Sequence, residues 1–232
     1  MNIGDNTIMK KQSNIIKGLA VVFAAALLIT ACKKQDPGAY DFENKVNVYE
    51  GNVYAYFKSQ PGVYDSLVKV IDRMDWLKEA LSSNTQFTVF APTNRSFVLA
   101  LQNLNNLRTS QHKPALNLST ANLDELDVLT CRYVIEGKYS TDSLLLADGV
   151  LLNTIKYDYI MHGEQKSTNA YGFVNGGPKS IIYSDIKYSQ YIAEWQRTTT
   201  QAVNIYTDNA IVHALSPSHE FGFSEFTLRL NK

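Results

Sequence analysis

From Val63 to Leu81 the apolar residues Leu67, Val70, Ile71, Met74, Leu77 and Leu81 recur at i, i+3, i+4 and i+7 spacing. That period predicts one amphipathic helix with Asp72, Arg73, Lys78 and Glu79 on its solvated face. Before it, Asn52 to Gln60 predicts a short helix burying Val53, Tyr56 and Phe57, stopped by Pro61-Gly62. The pattern then changes. Gln86 to Ala91 is β-branched and aromatic, which predicts a strand, and Pro92-Thr93-Asn94 ends it. Ser96 to Leu104 returns to a helical pattern through Phe97, Leu101 and Leu104, with Thr93 or Asn94 as its cap. Asn103 to Asn122 is rich in Asn, Ser, Thr and Gln and predicts a loop. Asn122, three residues before Glu125, fits a capping pair for a helix carrying Leu123, Leu126 and Leu129. After Gly137 the candidates are strands: Val150–Met161, Tyr171–Val174, Ser180–Ile186, Ala202–Tyr206, Ile211–Leu215 and Phe226–Leu230. Asn175-Gly176-Gly177-Pro178 has the composition of a hairpin connection. Helices first and strands later predict an α+β single domain rather than alternating βαβ units.

The first residues follow another logic. Lys10, Lys11 and Lys17 precede the apolar run Leu19 to Thr30, a secretory leader pattern too short to span a bilayer comfortably. The run ends in Leu28-Ile29-Thr30-Ala31-Cys32, which resembles the lipobox of bacterial lipoproteins. That resemblance implies a signal peptide over residues 1–31, a lipidated Cys32 as the new N-terminus, and a polar tether over residues 32–46. The start codon stays open between Met1 and Met9. Two or more acyl chains give stable anchoring, so the expected partner at this end is a membrane.

Composition narrows the function classes. The chain has 232 residues, with 22 Lys plus Arg against 22 Asp plus Glu. Without residues 1–31 the balance is 19 cations against 21 anions, which excludes a basic nucleic-acid binder. Hydrophobic residues make up 45%, enough to build a core rather than a disordered chain. The 2 Cys, Cys32 and Cys131, exclude a disulfide scaffold, and Cys131 reads as a small buried apolar residue.

Three stretches carry a family resemblance. Phe87 to Phe97, FTVFAPTNRSF, resembles the first motif of the fasciclin domain, T-V-F-A-P-T-N-x-A-F, with Ser96 in place of Ala. Leu129 to Gly137, LTCRYVIEG, resembles L-L-x-Y-H-V-V-x-G, and Asn209 to Leu215, NAIVHAL, resembles N-G-V-I-H-V-I. The resemblance implies two packed β-sheets with several helices at one side, a fasciclin-like domain over residues 47–223 and a C-terminal strand or tail over 224–232. It implies an extracytoplasmic binding or adhesion module with no enzymatic role and no cofactor. The family's Tyr-His pair falls on Arg132-Tyr133, so the integrin-dependent adhesion tied to that pair in animal members does not carry over. Ser216 stands where an Asp usually follows the last motif, and Asn103–Asn122 and Lys187–Tyr206 read as insertions. The ending SHEFGF, Ser218–Phe223, resembles fasciclin-type lipoproteins of Bacteroidetes. That likeness implies an outer-membrane location, on the periplasmic or the cell-surface side, and an alternative role: an accessory glycan-binding lipoprotein of a polysaccharide-uptake system.

Chemistry that would point elsewhere is weak. Gly172 and Gly177 have phosphate-loop spacing, but Pro178 stands where Lys is needed and a strand follows. His162-x-Glu164 lacks the P-C-x-x-C partner of a zinc deaminase. His213 and His219 could share a strand face, yet a zinc site needs a third ligand and Pro217 separates them. No catalytic or metal residue is assigned. Tyr188, Tyr191 and Trp195, in the second of these insertions, are the candidate binding residues for an extracellular protein or glycan. Tyr157 and Tyr159, two apart and so on one face of a strand, are next in line.

Overall fold

A computed structural model of the chain describes residues 47–168 and 177–232. The leader, Cys32, the tether, the strand expected at Tyr171–Val174 and the first half of the hairpin after it, Asn175 and Gly176, lie outside the described residues. Among those described, a two-residue strand β1 (Asn47–Val48) leads into helices α1 (Val53–Lys58), α2 (Asp65–Ile71) and α3 (Asp75–Ser82). Strand β2 (Phe87–Ala91), helices α4 (Asn94–Ser110) and α5 (Leu123–Cys131) and strand β3 (Val134–Glu136) follow. Four strands come next: β4 (Val150–Asn153), β5 (Ile160–Ser167), β6 (Lys179–Asp185) and the 11-residue β7 (Gln196–Tyr206). Strand β8 (Ala210–Leu215) and helix α6 (Phe226–Leu230) close the fold.

The strands form one hydrogen-bonded path, β3-β2-β8-β7-β6-β5-β4, with β1 added to β7. The path divides into two sheets at β7. Its first residues, Gln196–Thr199, pair with β6, and its last, Thr200–Tyr206, pair with β8. Register shifts between Thr200 and Ile205 bend the strand, as bulges do. Asn204 sits there at φ 56, and its N–H donates to His213 Nδ1 at 3.2 Å. A single bridge, Ile135 to Thr154, ties β3 back to the residue after β4. The core fills the space between the sheets. Phe90 of β2 stacks on Tyr183 of β6 with ring centroids 3.7 Å apart, and Phe97 of α4 stacks on Phe221 at 4.3 Å. All four rings are fully buried. This is the α+β, two-sheet architecture expected.

Local chemistry explains several element ends. Asn52 accepts from Ala55 N–H and starts α1, and Asn122 accepts from Glu125 N–H and starts α5, each covering a donor the helix leaves open. Asn94 does something different. Its Oδ1 accepts from Ser66 N–H and its Nδ2 donates to Asp65, so it caps α2 instead of its own helix. The motif Asn therefore joins two helices distant in sequence, and Thr93, at the cap position of α4, makes no capping bond.

Five expectations need correction. The helix expected over 63–81 is two helices, because Met74 leaves helical geometry at φ −124, ψ 86; the apolar stripe stays in phase across the break and every member is buried. The loop expected from Asn103 is helix as far as Ser110. Asn105 exchanges hydrogen bonds with the Leu116 backbone, and the buried Arg108 donates to the Pro114 carbonyl, so polar side chains staple the helix to the loop after it. The strand expected over 150–161 is the β4–β5 hairpin, folded at Tyr157 and Asp158, which both have positive φ. Phe226–Leu230 is a helix that buries Phe226 and Leu230, four residues apart, rather than a strand. Of the insertion expected over 187–206, the second half is β7 and belongs to the sheets.

Candidate ligand cleft

Arg132 ends α5, where the family pattern has Tyr. Its side chain is 2% exposed, and it donates to Asp185 at 2.6 Å and to Glu225 at 2.7 Å. The guanidinium also lies 4.5 Å from the centre of the Tyr159 ring, whose hydroxyl donates to Asp185 at 2.5 Å. Lys187 and Arg229 complete the shell around Glu225. Burial pushes the Glu225 carboxyl up, but Arg132, Lys187 and Arg229 outweigh it and hold it down to about 2. The cluster fastens α5, β6 and the start of α6 to one another.

Beside it, Tyr133 points its hydroxyl at the C-terminal segment. The oxygen accepts from Gly222 N–H at 2.7 Å and shares a hydrogen bond with His219 Nε2 at 2.8 Å. Burial holds the His219 imidazole down to about 3, so it is neutral across the physiological range. No hydrogen bond among the described residues uses Nδ1. His219 lines a cleft of about 400 Å³, whose one wall is Gln196–Thr199 of β7 and whose other is formed by Ser218, Glu220, Phe223 and Ser224. Gly222, Phe223 and Ser224 all have positive φ, at 89, 51 and 64. Two consecutive non-glycine residues in that region carry strain, which clusters at ligand clamps more than in plain scaffold.

The aromatic loop expected as the binding element borders this cleft at both ends. At its start, Lys187 Nζ donates to the Phe223 carbonyl at 3.4 Å and to Glu225 at 2.9 Å. At its end, Trp195 is joined directly to Gln196 of the cleft wall. The three rings do not form one platform. Tyr188 is 69% exposed and packs edge-on against Tyr159, with ring centroids 4.8 Å apart. Tyr191 is 73% exposed. Trp195 is half-buried against His162, and its Nε1 donates to the Ser189 carbonyl at 2.9 Å, closing the loop on itself. Tyr157 and Tyr159 do not share a strand face. They lie in a turn, Tyr159 reaching Asp185 and Tyr157 reaching Asp127. The part of the site that sequence patterns did not show is the Tyr133–His219–Phe223 wall. Its one signal was the aromatic ending FGF after Pro217.

The remaining candidates are engaged elsewhere. His213 Nε2 donates to the Tyr139 carbonyl at 2.9 Å and its ring stacks on Phe90, so it lies in the core and not beside His219. Burial lowers its pKa to about 4. His162 bonds the Asp148 carbonyl, and Glu164 meets Lys166 and Arg197. Among the described residues no group of three or more His, Cys, Asp or Glu is arranged to hold a metal. Cys131 is buried, and burial raises its thiol pKa, which keeps it unreactive.

Comparison with known proteins places this geometry. The family model described as the fasciclin domain matches residues 62–216, most of the described chain. A solved structure of a FAS1 domain pair from the insect cell adhesion molecule fasciclin I matches with a TM-score of 0.50 at 14% identity. The match covers 71% of this chain and 49% of that one, so the chain spans about half its length. At that identity the likeness concerns the fold. No curated protein matches the chain.

Proposed function

Because the chain belongs to the fasciclin-domain family, we propose that it is a membrane-anchored, extracytoplasmic binding or adhesion module that turns no substrate over. The observation that carries this reading is the cleft at His219, bordered by the exposed Tyr188–Trp195 loop. The solved relative is a cell adhesion molecule, which supports the binding class. Aromatic rings that the shared core does not need are the natural anchors for a partner, and one anchor commonly carries about 2 kcal/mol or more. Trp195→Ala is therefore expected to weaken binding about thirtyfold, since about 1.4 kcal/mol is a factor of ten. Tyr191→Ala should weaken it with an unchanged melt, because Tyr191 is exposed. Binding to glycans and to whole cells, measured with soluble protein from Lys33 onward, checks both. Unaltered binding in the two variants would move the site, and turnover by the purified domain would remove the non-enzyme reading.

Anchoring rests on the leader pattern. Mass spectrometry of membrane-extracted protein is expected to find acylated Cys32 as the first residue, on the outer membrane. An intact chain starting at Met1 or Met9 would overturn it. Cys32→Ala should leave a folded, unanchored protein.

A second reading is supported by the cleft lining. Gln196, Arg197, Glu220 and the neutral His219 offer planar donors and acceptors beside the hydroxyls of Thr198, Ser218 and Ser224. That mixture suits sugar hydroxyls, which donate and accept at once. It favours the role of an accessory glycan-binding lipoprotein, and selective capture of one glycan class in the same screen would choose it.

A further inference from the structure

A second site shares no residue with the cleft. Trp76, near the start of α3, is half-buried, and its Nε1 donates to Asp127 Oδ1 at 3.1 Å. Asp127 on α5 is 7% exposed, and its other oxygen accepts from Lys156 Nζ and from the Tyr157 hydroxyl, both at 2.5 Å. The Lys156 ammonium lies 4.4 Å from the centre of the Trp76 ring and 4.8 Å from that of Tyr157. One cation thus has two π faces and a carboxylate, each a favourable partner for an ammonium group.

The box is open. Lys156 keeps 40% of its side chain exposed, and Tyr157 is 45% exposed. Tyr157 and Asp158 hold φ values of 73 and 46, a costly conformation that brings the Tyr157 ring to the ammonium. Trp76 also lines two clefts. One, of about 350 Å³, is lined by Asp75, Asp124, Asp127 and Lys156, and the other, of about 520 Å³, by Phe87, Ile155 and Glu136. Arg73, in the first cleft, is committed to the carbonyls of Leu118 and Ala121. Without Lys156 the box and its flanks are therefore acidic.

We propose that Trp76, Tyr157 and Asp127 form an alkylammonium-binding box whose resident occupant is Lys156, and that it docks a lysine-bearing extended segment of a partner protein. The resident shows which group the box accepts. Two clefts that share Trp76 fit a chain segment rather than a lone ion, and Asp75, Asp124 and Glu136 match a basic segment in charge. Lys156 acts as a tethered competitor that the incoming lysine displaces, so its removal tightens binding.

The chain has 2 Trp, so Trp195→Phe leaves Trp76 as the sole indole reporter. Hexalysine titrated into the full chain carrying Trp195→Phe is expected to change Trp76 fluorescence, and adding Lys156→Ala is expected to shift the titration to about tenfold lower concentration. Lys166→Ala, an equal charge change at the far end of β5, should leave it in place. Calorimetry on Lys156→Ala with Tyr157→Ala should show that gain lost, and thermal melts confirm that each variant is folded, with Lys156→Gln as the substitute for an unfolded Lys156→Ala. Three outcomes overturn the proposal: Lys156→Ala gains nothing, Lys166→Ala gains as much, or tetramethylammonium binds Lys156→Ala while hexalysine does not.

Discussion

Phe90→Ala is expected to lower stability by about 3–5 kcal/mol, the usual cost of truncating a large aromatic in a packed core. Phe90 is fully buried and stacks on Tyr183 of the opposite sheet and on His213 of β8. Truncation opens the seam between the sheets, where neither neighbour can follow without breaking a hydrogen bond of its own: Tyr183 donates to the Arg132 carbonyl, and His213 to that of Tyr139. A loss of that size is comparable with a whole domain's stability of about 5–15 kcal/mol. Urea unfolding followed by circular dichroism checks it. Phe97→Ala, which strips the partner of Phe221, should behave alike. A variant that melts like the parent yet loses a binding partner would make the FTVFAPTNRSF stretch a ligand site instead of a fold determinant.

Acid is expected to unfold the domain through two histidines held neutral. Burial lowers His213 to about 4 and His219 to about 3, from an ordinary value of 6.5. Below 6.5 the unfolded chain takes up protons that the folded one refuses, so stability falls as pH drops, until the folded pKa values are passed. A pKa unit corresponds to about 1.4 kcal/mol, so the pair together withdraw several kcal/mol. Glu225 adds to the loss at lower pH. Its folded pKa is about 2 against an ordinary 4.5, so its contribution is full above 4.5 and disappears as pH falls toward 2. Denaturant unfolding at a series of pH values should show stability declining steadily below neutrality. His219→Gln should reduce the slope in its upper part. A flat profile from neutrality down to the carboxylate range would contradict both neutral imidazoles.

What could be read from the pattern of residues, and what could not, follows from the range of the forces involved. Asn122 announces its helix because a cap bonds a donor three residues away, whereas the same role of Asn52 showed only in the structure. The buried faces of α1, α2 and α3 were legible because periodicity records burial. The break at Met74 was not, since the stripe keeps its phase across it. Helix α6 was hidden by its own spelling: Phe226, Leu228 and Leu230 alternate like a strand, yet Leu228 is 77% exposed. Asn94 looked like a local cap and bonds Ser66 instead, because tertiary contact supplies a better donor. The aromatic loop was marked by composition, whereas the cleft beside it needs Tyr133 to meet His219, 86 residues on. The Trp76 box needs α3, α5 and the β4–β5 turn at one point, and no local pattern encodes that meeting.

The register of β2 has a consequence for how the protein is made. Strand β2 lies parallel to β8, Phe87 opposite Ala210 and Ala91 opposite Ala214. Parallel pairing across so long a stretch gives a high contact order, and such contacts form late. While the ribosome is still adding residues before Ala210, all five residues of β2 have an open edge on the side β8 will cover, and every one of them belongs in the interior. A nascent chain in that condition is a template for pairing with its neighbours. Translation products that stop short of Ala210 should therefore accumulate as aggregates or protease fragments, not as partly folded domains.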